Sequence, residues 1–141
     1  MNYGDIKSHF NNLLNRSDIT TSLTETFIDQ GIARIQRQLR TPLNENLTTY
    51  ALASRTTSIT LPNDFLEIIS LYYEGSELQR IPLSKYRAVA VSPIQGSPTT
   101  FIRQQQDLFL HPEPSTGNLV LYYYAEYPPM VLATDENALA T

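Results

Sequence analysis

The chain has 141 residues, 41% of them hydrophobic and 17% charged, with a net charge of −4 and no cysteine. This balance fits one ordinary folded, soluble domain. The missing thiols exclude disulfides, a thiol nucleophile and cysteine-based metal sites, and an isoelectric point near 5.0 does not suit a protein that grips DNA by displacing counterions.

Residues 1–42 carry five Lys/Arg against four Asp/Glu, and residues 43–141 five against ten, so the acidic excess falls in the second part. No run approaches the roughly 18 apolar residues that cross a bilayer, and the N-terminus lacks the basic and apolar blocks of a signal peptide. Neither membrane insertion nor export is expected.

Tyr3, Ile6, Phe10, Leu13 and Leu14 keep helical spacing. The polar stretch from Asn15 to Ser22, rich in capping residues, predicts a break. Ser22 followed by Glu25 has capping-box spacing and starts a second helix near Leu23. In that helix Ile28, Ile32, Ile35 and Leu39 make an apolar stripe, with Arg34, Arg37 and Arg40 three apart beside it. The stripe needs a core. The arginine row needs water, acidic protein or phosphate. Pro42 pushes Thr41 off helical angles and closes the helix, which places the arginines at the negative end of its dipole. A short connection makes residues 1–42 an antiparallel helical hairpin.

Beyond Pro42 the period shortens to two. Leu47 to Leu52 and the β-branched run Thr56 to Thr60 read as strands, and Leu66 to Tyr73 as a longer one. The last turns at Glu74-Gly75-Ser76 into a short segment, Leu78 to Leu83, as a hairpin. Ser84 to Val91 allows one or two helical turns, and Ser92 to Thr99 is a loop. Phe101 to Arg103 pairs with Leu108 to His111, and Asn118 to Tyr127 is the last strand. Residues 43–141 are thus an antiparallel β-rich portion, expected to form one compact α+β domain with the hairpin. Between strands, Leu61 to Phe65 reads as a rigid corner: Pro62 fixes a dihedral, Asp64 supplies turn chemistry and Phe65 opens the next apolar run.

Residues that carry enzyme chemistry are scarce. His9 and His111 have no second ligand at metal spacing, and neither a phosphate-binding glycine loop nor a nucleophile elbow is present. Asp135-Glu136 reads as part of a solvated tail. No catalytic residue, metal site or cofactor is expected. The aromatic content is more telling, with nine tyrosines and no tryptophan. Tyr122-Tyr123-Tyr124 puts rings on both faces of one strand. In a sheet one layer thick one face meets the domain's helices, which leaves the other for a neighbouring subunit. Tyr122 and Tyr124 share a face and are candidate contact residues. Too few basic residues interleave with the rings for base stacking.

Five segments follow one another over about 125 residues: Tyr3-Gly-Asp-Ile-Lys7 with Leu13-Leu-Asn-Arg-Ser-Asp18, Ala33-Arg-Ile-Gln-Arg-Gln-Leu-Arg40, Leu61-Pro-Asn-Asp-Phe-Leu-Glu67, Leu108-Phe-Leu-His-Pro-Glu-Pro114, and Val120-Leu-Tyr-Tyr-Tyr-Ala-Glu-Tyr-Pro128. Their order and spacing resemble the head-to-tail adaptor, or connector, proteins of tailed bacteriophages. The resemblance implies a non-enzymatic virion protein, made in the host bacterial cytoplasm and placed at the neck between capsid and tail. Such proteins form a homo-oligomeric ring, usually a dodecamer, under the portal protein. They join it to a tail or nozzle protein and leave a channel through which DNA passes without specific binding. Arg34, Arg37 and Arg40 would then face an acidic surface of the portal or of an adjacent subunit. The alternative is a transient tail-completion or assembly factor that binds as a monomer or dimer. Family members commonly continue past the last strand into further helical sequence, whereas this sequence ends at Thr141; if that further segment grips the portal, this protein is expected to attach differently, to be a shortened tail-completion variant, or to lean more on its helical hairpin.

Overall fold

A computed structural model describes residues 1–137 and 139. The chain divides into two compact units, Met1–Asn44 with Glu126–Thr141 and Glu45–Ala125. The C-terminal residues therefore group with the helices and not with the strands that precede them.

In the first unit α1 spans Tyr3–Leu14 and α2 spans Thr21–Gln38. Asn2 caps α1 through a reciprocal box: its side chain accepts from the Asp5 N–H at 2.9 Å, and the Asp5 carboxylate accepts from the Asn2 N–H at 3.1 Å. Asn15 closes α1 in the left-handed conformation, which asparagine tolerates. The cap of α2 is Thr20, whose hydroxyl accepts from the Leu23 N–H at 3.3 Å, so the helix begins two residues earlier than the Ser22–Glu25 spacing predicts. Position decides the cap: Thr20, with extended angles, immediately precedes the first helical residue, whereas Ser22 is already inside the helix.

An ion pair between Lys7 and Glu25 at 3.0 Å, a ring contact between Phe10 and Phe27 and a hydrogen bond from the Thr24 hydroxyl to the Asn11 side-chain oxygen hold the two helices side by side. Tyr3, Ile28 and Met130 form the small core of this unit, with Ile6 and Ile32 packed against it. The C-terminal segment is tied down. The first free amides of α1 are taken by its carbonyls, Tyr3 N–H to Asp135 and Gly4 N–H to Ala133, both at 2.8 Å. The Asp135 carboxylate accepts from the Val131 and Leu132 amides at 2.8 and 2.7 Å, which holds it below the usual carboxylate range. The expected solvated tail at Asp135-Glu136 is, at Asp135, a hydrogen-bonded turn.

The second unit holds eight strands and a helix: β1 Glu45–Leu52, β2 Ser58–Thr60, β3 Phe65–Tyr73, β4 Ser76–Glu77, β5 Gln79–Arg80, α3 Leu83–Ala90, β6 Thr100–Gln104, β7 Asp107–His111 and β8 Gly117–Ala125. They form two four-stranded sheets, β1-β8-β3-β4 and β2-β7-β6-β5. All pairs are antiparallel except β5 with β6. Leu71, Leu119, Leu121 and Tyr123 from the first sheet share one core with Ile59, Phe101, Leu108 and Leu110 from the second. The expectation of a sheet one layer thick, packed on helices, is therefore corrected: the inner face of the first sheet is covered by a second sheet. The short strands of that second sheet carry too few residues for their pairing to be read from alternation. α3 lies on the far side of the second sheet, where Tyr86 meets Phe109 at 6.3 Å between ring centroids.

β3 departs from strict alternation because its register against β8 shifts twice, between Phe65 and Glu67 and between Ile68 and Ser70. At its end Glu74 and Gly75 both have positive φ, 47° and 81°, and connect Tyr73 to its partner Ser76, the backbone that a two-residue hairpin requires. Gly117 has φ 149°, and a Cβ there would lie 2.7 Å from Glu74 Oε1 and 2.9 Å from the Tyr73 hydroxyl.

Candidate interaction surfaces

The outer face of the first sheet is bare within its unit. The register sets three residues abreast in successive rows: Glu45, Tyr124 and Glu67, then Leu47, Tyr122 and Ser70, then Thr49, Val120 and Tyr72. Leu47 is 54% exposed, Ile69 43% and Tyr122 40%, while Tyr124 is half-buried. Tyr72 meets the Tyr122 ring edge-on at 5.8 Å, which holds Tyr122 upright. A depression of about 370 Å³ runs between Ile69, Tyr72, Val120 and Tyr122. Sequence reading singled out Tyr122 and Tyr124 but missed Leu47, Ile69 and Tyr72. Leu47 was legible, since it has the parity of Tyr122 in the paired strand. Ile69 was not, because it sits at a bulge.

Arg34 and Arg37 are exposed on α2 and line a shallow depression of about 510 Å³ with Gln30, Ala33 and Gln38. Arg40 does not join them. α2 ends at Gln38 with Leu39 extended, so the predicted helix through Arg40 is corrected. The Arg40 guanidinium instead donates to the Gln36 carbonyl and, at 3.1 Å, to the Leu39 carbonyl, satisfying acceptors that the helix end leaves open. Asn44 completes this turn, its side-chain oxygen accepting from the Thr41 N–H and hydroxyl at 3.1 and 3.0 Å.

The apolar stripe of α2 is only partly covered. Ile28 is buried, but Ile35 is 38% and Leu39 50% exposed. Ile28, Ile32 and Ile35 of the stripe, with Phe10, Phe27 and Met130, border a groove of about 580 Å³ along the hairpin.

The corner is built as a turn. The Phe65 N–H donates to the Pro62 carbonyl at 3.2 Å, and Asp64 accepts from the Tyr123 hydroxyl at 3.1 Å. Phe65 is half-buried, stacked on Tyr123 at 5.8 Å with the Arg103 guanidinium 4.6 Å from its ring centroid. Burial, reinforced by the Asp64 carboxylate, pushes the Tyr123 phenol above its ordinary range, and burial does the same to Tyr50. These groups fix the fold. Among the described residues, no cluster of three His, Asp or Glu side chains comes together to hold a metal ion, and no helix is long and apolar enough to cross a membrane. His9 is exposed on α1 and His111 half-buried in β7. What the two units present outward is chemistry of contact: aromatic and aliphatic side chains rimmed by charge.

A family profile described as SU10 adaptor protein matches residues 1–141. A search of curated proteins returns no match.

Proposed function

The chain belongs to the SU10 adaptor protein family of phage structural adaptors, and on that premise we propose that its copies form a ring docked beneath the portal. There the ring connects portal to tail at the virion neck and encloses the channel through which the genome passes. The ring is twelvefold, and the subunit acts by adhesion and not by catalysis.

The observation that carries this reading is the family match across the whole chain. Its physical support is that part of the exposed apolar area is gathered into two patches, the outer sheet face with Leu47, Ile69 and Tyr122 and the hairpin groove with Phe27 and Ile35. Net charge suits a channel that lets DNA slide. Glu45–Ala125 holds seven Asp/Glu against five Lys/Arg, and Glu126, Asp135 and Glu136 add three more carboxylates beyond it. Few cations are left to hold phosphates fast.

The test is to mix the purified protein with the portal protein of the same phage and image the product by electron microscopy. A ring of added density on one face of the portal is expected. Portal particles unchanged at saturating protein would refute the proposal.

A further inference from the structure

Two surfaces described above are complementary in charge, and each occurs once per chain. The strands of the first sheet contain three glutamates, Glu45, Glu67 and Glu77, and no lysine or arginine. Glu45 and Glu67 flank Tyr124 in register, one row from the exposed Tyr122. On α2 the stretch from Gln30 to Gln38 contains Arg34 and Arg37 and no acidic residue. There the small side chain of Ala33 lies among Gln30, Arg34 and Arg37 in the shallow depression described above, which leaves its methyl group open to a side chain from outside.

We propose that α2 of one copy docks on the outer face of the β1-β8-β3-β4 sheet of a second copy. The Tyr122 ring enters the depression over Ala33, and Arg34 and Arg37 face Glu45 and Glu67. The inference rests on the ring reading above and names the surfaces that would join ring neighbours.

Three physical arguments select a second copy, in this orientation. Either patch set against itself would bring like charges together, whereas the two patches set against each other pair them. An arginine beside the exposed Tyr122 ring gains a cation–π contact that the sheet's own strands, which hold no lysine or arginine, do not supply. A contact made by two different patches is heterologous, so it propagates from copy to copy and closes into a ring when the rotation allows. Arg40 takes no part in it, because its guanidinium is engaged by the Gln36 and Leu39 carbonyls.

The chain has no cysteine, so disulfide trapping starts from a clean background. Arg37→Cys and Glu45→Cys proteins are mixed and mildly oxidised, and dimers are scored on a non-reducing gel. The mixed dimer is expected to exceed either homodimer by roughly tenfold, equivalent to about 1.4 kcal/mol of preference. A chain carrying both substitutions is expected to give a ladder of multimers. Mixed dimers no more abundant than homodimers would overturn the proposal. As a second arm, R34E/R37E and E45K/E67K should each lose the association of the unsubstituted chain, and the fourfold reversal should regain it. Loss without regain in a chain that melts normally would also overturn it. A cross-linked ladder with no ring on the portal leaves this contact standing and refutes the ring reading, whereas rings with no preferred cross-link do the reverse.

Discussion

Replacing Gly117 by alanine tests how the start of β8 is locked to the β3 hairpin. Three costs are expected. The positive φ of 149° is unfavourable for any residue with a Cβ, by about 1 kcal/mol. The new methyl would lie 2.9 Å from the Tyr73 hydroxyl and 3.1 Å from its ring, which forces that side chain off the Thr116 carbonyl, where it donates at 2.6 Å. Losing that bond costs about 1 kcal/mol. The methyl would also lie 2.7 Å from Glu74 Oε1, the acceptor of the exposed Asn118 N–H, for a further loss of up to about 1 kcal/mol after solvent screening. The expected total is about 2 to 3 kcal/mol, or a fall in Tm of roughly 6 to 12 °C at this chain length. Gly75→Ala is the internal control. Its φ is 81°, but nothing lies within 4 Å of the added methyl, so only the conformational cost of about 1 kcal/mol applies. Urea melts followed by circular dichroism measure both variants. Equal losses at the two positions would refute the steric part of the reasoning, and no loss at Gly117 would refute all of it.

Phe65→Ala should cost about 2 kcal/mol in urea melts, roughly half the loss of a fully buried ring, because Phe65 is half-buried against Tyr123; a loss within error of zero would show that the stack contributes nothing. Asp135→Ala should speed hydrogen exchange at the Val131 and Leu132 amides, which lose their shared acceptor, while β8 amides keep their rates. Because the folded Asp135 carboxyl is held below 3.8 by those amides, its stabilisation is present above that pH and is lost as pH falls further; the acid dependence of the same two exchange rates, absent in the variant, checks the sign. Tyr3, Tyr50, Tyr86 and Tyr123 are all raised above 10.0, mainly by burial. The unfolded chain therefore sheds phenolic protons first, so stability should be flat from neutrality to about pH 9 and fall as pH climbs through about 10 and beyond. A urea midpoint that stays constant across that range would contradict the assigned burial.

The local alphabet of this fold was readable where one residue type dictates one conformation. The turn at Glu74-Gly75 marked a real boundary, and the alternation of Leu119, Leu121 and Tyr123 followed the buried face of β8. What escaped was set by contacts distant in sequence. Nothing around Asp135 announces that its carbonyl receives the amide of Tyr3. Nothing in Ser58–Thr60 or Gln79–Arg80 announces a second sheet, since strands of three and two residues are shorter than any period they could display. The candidate surfaces show the same division. Tyr122 was legible from its triplet, whereas the separation of Arg40 from Arg34 and Arg37 follows from a helix end that unwinds before Pro42 and not at it. The double shift of β3 hid Ile69, because a bulge reverses the parity on which such readings depend.

The way Tyr3 and Gly4 meet Ala133 and Asp135 also sets an order of birth. Residues Glu45–Ala125 are one uninterrupted block and have all their strand partners once Ala125 has left the ribosome. The helices emerge before it, yet the carbonyls that receive the Tyr3 and Gly4 amides belong to Asp135 and Ala133, which are made only after Ala125. During synthesis the sandwich can therefore be completed while the earlier helices are still waiting for their final partners. A polypeptide truncated just after Ala125 should keep its β-sheet signal and lose protection at the start of α1.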